Sequence, residues 1–255
     1  MERHFPDSDL SVAIARVGGD AVAMRESSLL RSSVPARRPV VGLAPHGLLR
    51  GVRHLARRDR DLARIIETAG TPRFPLRPPG FPTLLHIILE QQVSIDAAAA
   101  MFRNLQLVCT PLAPAGFLTL GEAELKRCGF SRQKIGYARN LAEAIRDGNC
   151  DLAALAHLPD EAVLAELVKL KGIGRWTAQV YLLFVLGRPD IWPADDLGLQ
   201  LAVQRLDERA KRPSASELIA RAENWRPWRS VAACLLWQFY LHALGRLDRP
   251  RRSGK

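Results

Sequence analysis

Cysteine is scarce and scattered in this chain: four residues in 255, at positions 109, 128, 150 and 234, with no CxxC and no tight cluster. Zinc and iron–sulfur sites draw ligands from closely spaced positions, so this spacing argues against both and leaves buried free thiols. Long apolar runs are lacking too. Stretches such as Val180–Leu186 are far shorter than the ~20 residues that a membrane span requires. The opening MERHFPDSDL carries acids where a secretion signal would be basic and then apolar. A soluble, cytoplasmic protein with no membrane partner and no metal site is therefore expected. Acidic residues are outnumbered, 26 against 37 basic, which gives a net charge of +11 and a pI near 10.2. Such a balance suits a polyanionic partner, although basic surfaces also serve solubility and charge alone does not name one.

What is present is enough chain, at 28.3 kDa, for one large domain or two small ones with a real core. Residues 1–72 show little helical period. Leu10–Val17 and Ala21–Met24 flank Gly18-Gly19-Asp20 as a strand-turn-strand pattern, and Val34–Pro39 reads as extended linker, because proline restricts itself and its predecessor. The segment is expected to be an N-terminal extension, partly disordered or carrying a small β hairpin, or else an arginine-rich arm. One helix is predicted over Leu55–Ala69, followed by a proline-dense connector from Thr71 to Gly80.

Beyond Gly80 the pattern is helical, which predicts an all-α domain over 73–245 and a basic tail over 246–255. Phe81–Glu90 is apolar nearly all round and reads as a buried helix. Ser94 is placed to cap Ile95–Val108, and Ser131 to cap a helix through Ile145 whose apolar face is Ile135, Ala138, Leu141, Ala142 and Ile145. Pro159 and Asp160 open a further helix with Val163, Leu164, Leu167 and Val168 on one face.

That helix breaks at LKGIGRWTA, residues 170–178. Two glycines one residue apart permit positive φ and leave backbone N–H groups open at the start of the next helix. Open amides and the helix dipole make an anion site, with Gly172, Gly174, Arg175 and Thr177 around it and Ile173 plugging the space between the helices. On so basic a chain a DNA phosphate is the anion expected.

LKGIGRWTA resembles the hairpin of the helix-hairpin-helix base-excision DNA glycosylases. A hairpin alone does not make an enzyme, but Trp192-Pro-Ala-Asp-Asp-Leu-Gly198 places Asp196 22 residues beyond Gly174, and it resembles the proline loop and aspartate that complete that signature. FPTLLHIILEQQVSIDAAAA, GFSRQKIGYARNLAEAI and WRPWRS are similar to further segments, so that five blocks in order, over roughly residues 75 to 245, resemble the DNA-3-methyladenine glycosylase II family. The resemblance implies two helical subdomains around the hairpin and a monomer acting on double-stranded DNA with alkylated bases.

Bifunctional members of the superfamily carry a lysine two residues after the second glycine. Trp176 stands there, and an indole cannot form a Schiff base. The resemblance thus implies a monofunctional enzyme that uses water and leaves an abasic site. It implies Asp196 as the catalytic carboxylate; local physics is compatible, with its neighbour Asp195 placed to cap the helix Leu197–Leu206 and the helix dipole helping to keep Asp196 ionised. Aromatic faces hold a cationic base well, which makes Trp176 and Trp237 the candidates for walls of the base pocket, although Trp237 lies in an apolar helix, Val231–Leu244, where it also reads as core. Gln92 or Val93 would enter the base stack. Trp225 and Trp228 read as core, and Arg229 as a phosphate contact or a structural ion pair. No cofactor is expected beyond a monovalent cation held by hairpin carbonyls. The alternatives kept open are a non-catalytic binder of DNA lesions and a bifunctional glycosylase.

Overall fold

The computed structural model describes residues 43, 45–72 and 74–245. The expected β pattern at 10–24, the linker at 34–39 and the basic tail lie outside the described residues. Among the described residues the chain is helical, without strands. The helices are α1 (Pro45–Arg58), α2 (Arg60–Ala69), α3 (Phe81–Glu90), α4 (Ile95–Val108), α5 (Pro114–Thr119), α6 (Glu122–Arg127), α7 (Arg132–Arg146), α8 (Leu152–Leu155), α9 (Asp160–Val168), α10 (Arg175–Phe184), α11 (Leu197–Leu206), α12 (Ala215–Ala222) and α13 (Arg229–Ala243), with a 3₁₀ turn at Glu223–Trp225. None of them is long and apolar enough to cross a membrane.

The local signals place most of the boundaries. Ser94 Oγ accepts the Ala97 N–H at 3.2 Å and starts α4, and Ser131 Oγ accepts that of Lys134 at 3.2 Å and starts α7. In α3, Leu84, Leu85, Ile87, Ile88 and Leu89 are fully buried, each contributing about 2 kcal/mol of burial. Of the face expected on α9, Val163, Leu164 and Leu167 are buried, but Val168 is 45% exposed. Val168 is the last residue of α9, where the turn begins.

The helices fall into two groups. In one, α3 packs on α4 and α7, and α7 on α5 and α6; in the other, α13 packs on α11, α2 and α1. The pair α9–α10 packs against itself and touches the first group through α3. The proline-dense connector is pinned to α10 by Arg77, whose N–H bonds to Phe184 O at 2.8 Å, and by Phe74 against the Phe184 ring. Arg77 also forms a buried ion pair with Glu90 at the end of α3, Nη2 to Oε1 at 2.9 Å.

The helix predicted over Leu55–Ala69 is two helices. Asp59 adopts an extended φ of −134°, and its Oδ1 accepts the N–H groups of Asp61 and Leu62, so it ends α1 and caps α2. A short acidic side chain competes for backbone amides, and here that outweighs an apolar spacing which continues across the break. Nor does the expected boundary at residue 72 mark off a separate extension among the described residues. Asp59 Oδ2 accepts the Trp225 indole N–H at 2.7 Å, Arg221 pairs with Asp61, and Gln238 Nε2 donates to the carbonyls of Ala69 and Gly70. α1 and α2 are thus built into the second group.

Because Asp59 supplies both a helix cap and the partner of a buried indole, Asp59→Ala is expected to cost about 2 kcal/mol of stability. Urea unfolding of the two proteins checks this, and an unchanged midpoint would mean that the two contacts contribute nothing net.

Candidate active site

The break between α9 and α10 is a tight hairpin. Leu170 N–H closes on Leu167 O at 3.1 Å and Ile173 N–H on Leu170 O at 3.0 Å, while Ile173 buries its side chain between the helices. The two glycines serve different needs. Gly172 has a φ of +91°, and a Cβ there would stand 2.1 Å from Cγ of Tyr137, whose ring lies over the turn. Gly174 has an ordinary φ of −87°, and a Cβ there would meet nothing. Its backbone caps α10 without a side-chain acceptor, and the first turn of α10 contains no acid. The first amides of α10 are therefore left for an outside acceptor. Arg175 is exposed beside them, and Thr177 is buried.

At the second residue of α10, Trp176 directs its Nε1 at Oδ2 of Asp196, 2.8 Å away. Oδ1 of the same carboxylate accepts the Leu199 backbone N–H at 2.8 Å and Nε1 of Trp237, from α13, at 2.8 Å. Asp196 is therefore itself the N-cap of α11. Asp195, expected as the cap, is exposed. The substitution of roles follows from direction: the chain turns into α11 at Asp196, so only that side chain reaches the N–H of the third helical residue. Gly198 leaves room beside the carboxylate, since a Cβ there would stand a tight 3.0 Å from Asp196 Oδ1 and 3.2 Å from the Trp237 ring.

The carboxylate is 6% exposed, and its hydrogen-bond donors are uncharged: two indoles and the amides of Leu199 and Gly198. Burial pushes its pKa up from the ordinary aspartate value, while the Trp237 indole, the Trp176 indole and the two amides pull it back. Beside the helix dipole, expected to help keep Asp196 ionised, burial and these four hydrogen bonds thus act on its charge state.

Trp237 is 1% exposed and stacks on Phe184, with ring centroids 5.7 Å apart. It turns its N–H edge to Asp196 and is among the residues lining the opening, as expected of a pocket wall, with little of its ring face exposed. The half-buried Trp176 keeps part of its surface accessible. Asp196, Trp176, the hairpin residues Gly172 to Gly174, Thr177, Gln92 and Val93 all line a single opening of about 1280 Å³, so the sequence-predicted residues converge. Gln92 is exposed at its rim with a φ of +56°, a conformation that costs a non-glycine residue about 1 kcal/mol. Arg229 is bound to Asp190 at 2.9 Å and to Glu223 at 3.3 Å, the ion pair of the two roles expected for it.

Sequence reasoning missed the residues that hold the two turns in place. Gln91 Nε2 donates to Gly172 O and Thr177 Oγ1, each at 2.9 Å. From α7, Asn140 Oδ1 accepts the Lys171 N–H at 2.8 Å, Tyr137 covers Gly172, and Lys134 binds the end of α3. Lys134, Tyr137 and Asn140 are spaced by three, next to an apolar face of the same helix, which was the available signal.

Open backbone amides at a hairpin and a buried carboxylate, both lining one opening, define the class: a helical protein with one uncharged-donor carboxylate beside a hairpin turn. The chain belongs to the HhH-GPD superfamily of base excision DNA repair proteins, whose sequence model matches residues 85–228. It is 29% identical over 193 residues to DNA-3-methyladenine glycosylase 1 of Schizosaccharomyces pombe, covering 72% of this chain and 84% of that protein. The Bacillus subtilis protein YfjP is 30% identical over 181 residues, which span 68% of this chain and 62% of that relative's length. Among solved structures, the S. pombe 3-methyladenine DNA glycosylase in complex with abasic DNA superposes with a TM-score of 0.70 at 28% identity, covering 74% of this chain and 95% of that one.

The balance at Asp196 gives a measurable expectation. Its carboxyl should titrate above the ordinary aspartate range, and Trp176→Phe, which removes an N–H favouring the anion, should move the titration further up. Infrared difference spectra across pH, with Asp196→Asn to assign the band, test this. Titration at or below the ordinary value would mean that the hydrogen bonds outweigh burial.

Proposed function

We propose that this protein is a monofunctional DNA glycosylase that extrudes an alkylated purine from duplex DNA and hydrolyses its N-glycosidic bond, leaving an abasic site. The observation that carries this is Asp196, a buried carboxylate with no cationic partner among its hydrogen-bond donors, in the same opening as the open amides of α10.

Alkylation at N3 or N7 places positive charge on the purine, so the leaving group is activated without a strong acid. The sugar that remains is oxocarbenium-like. A carboxylate fixed by three elements can stabilise that charge and orient or deprotonate the attacking water, with little rearrangement during the reaction. Its low-dielectric surroundings strengthen the attraction. A base in the stack is out of reach of such a group, so the nucleotide must leave the duplex, with Gln92 and Val93 placed at the rim to take its position. The amides of Gly174 to Thr177, with Arg175, would hold the backbone phosphate nearby. Trp176 offers a cationic base an aromatic surface.

Two features support hydrolysis over lyase chemistry. Trp176 occupies the position that a Schiff-base lysine would need. Lys134, which also lines the opening, donates its amine hydrogens to three carbonyls that hold it turned to the end of α3. A monovalent cation would have to be held by hairpin carbonyls, of which Gly172 O already accepts from Gln91. We infer a monomer as the working unit.

The test is release of free base from methylated duplex DNA, analysed by mass. Wild type should release alkylpurines, and Asp196→Asn should lose release by about a thousandfold or more, as expected when the main charge-stabilising group is removed, while binding the duplex as before. Borohydride should trap no covalent complex. Full turnover by Asp196→Asn, or a trapped adduct, rejects the assignment.

A further inference from the structure

The loop between α3 and α4 forms part of the rim of the opening, yet its own backbone supports it poorly. Gln91 N–H returns to Ile88 O at a long 3.3 Å, Gln92 is left-handed, and the last carbonyls of α3 lack helical donors. A buried amine from another element meets them. Lys134 Nζ donates to Ile88 O at 3.2 Å, Leu89 O at 2.8 Å and Gln91 O at 2.8 Å. An ammonium has three hydrogens, and all three are used, at a helix C-terminus where the dipole favours a cation.

Further titratable groups lie close by, of which His86 is kept neutral by burial and by Arg77. Glu90 is engaged by Arg77 at 2.9 Å, and His86 stands 3.8 Å from Glu90. Burial pulls the Lys134 amine down to about 8, with Glu90 acting in the opposite sense, so it is still protonated at neutral pH. On the other side of the loop, Gln91 Nε2 reaches Gly172 O and Thr177 Oγ1 of the hairpin. The loop is thus tied to α7 by one side chain and to the anion-binding turn by another.

We propose that Lys134 is a positioning residue for nucleotide extrusion: it braces the Gln91–Val93 loop by its carbonyls, and Gln91 locks that loop to the hairpin, so that phosphate capture and entry of the loop into the base stack occur as one motion. The role rests on the glycosylase reading above. Filling the stack works against the cost of unstacking, and a loop already ordered loses less freedom on insertion. The bonds are to backbone, so the effect should not depend on the lesion. It should depend on the duplex, because a single strand has no paired stack to open.

The experiment compares single-turnover release of one alkylated base from a duplex and from the same oligonucleotide as a single strand, using wild type, Lys134→Met and Gln91→Ala. Lys134→Met should lose about tenfold or more on the duplex and stay within about twofold on the single strand, since only the duplex requires unstacking. Gln91→Ala should lose severalfold on the duplex alone. Equal losses on both substrates, or an unchanged duplex rate in either variant, overturn the positioning role. Should thermal melting show that Lys134→Met does not fold, Gln91→Ala, at a partly exposed site, decides by itself. Wild type inert on both substrates would sink the glycosylase reading and this role together, whereas active wild type with undiscriminating variants sinks the role alone.

Discussion

Much of this molecule is organised around one buried carboxylate bound by uncharged donors. Removing Asp196 from water is unfavourable, and no arginine or lysine is hydrogen-bonded to it. Its stabilisation comes from two indole N–H groups and the amides of α11, contributed by α10, α13 and α11. A salt bridge would neutralise the charge and spend it on the fold. Neutral donors keep the negative charge available to an incoming positive one, at the cost of requiring three helices in fixed relation.

That requirement explains why α13 is bound along its length. Trp237 meets the carboxylate, and the next residue, Gln238, bonds to the carbonyls that end α2. Gly51 of α1 is packed so closely on Trp228 and Val231 that a Cβ there would come within 2.8 Å of both. The helices preceding the connector are therefore part of what holds the indole, and through it the charge. A corresponding arrangement orders the hairpin side of the opening, where the buried Arg77–Glu90 pair and Lys134 settle the end of α3, and Gln91, Tyr137 and Asn140 settle the hairpin.

The residues that sequence patterns locate well are those whose structure is made by near neighbours. Ser94 and Ser131 cap where they stand, and Phe81–Glu90 is helical and buried because nearly every side is apolar. Patterns misjudge cases where a distant partner decides. The Asp59 break cuts through a continuous apolar spacing, and the buried indole of Trp225, 166 residues further on, takes the other carboxylate oxygen. Val168 follows the apolar rule of its helix but stands at its end, 45% exposed.

From the sequence alone come the helical class, the paired glycines, Trp176 in place of a nucleophilic amine, and two adjacent aspartates of which one follows a motif. Those are properties of residue type and of spacing within a turn or two. Only the tertiary structure decided that Asp196 and not Asp195 turns inward as the cap, and that Trp237 turns its N–H edge to that carboxylate. It likewise decided that Lys134 and Gln91 brace a loop on opposite sides. The cap bond itself is local, to Leu199, but the bonds that join the indoles to Asp196 and Lys134 to the loop span 20, 41 and 43 positions, and the periodicity of a helix carries no information about which side chains meet when separate helices pack.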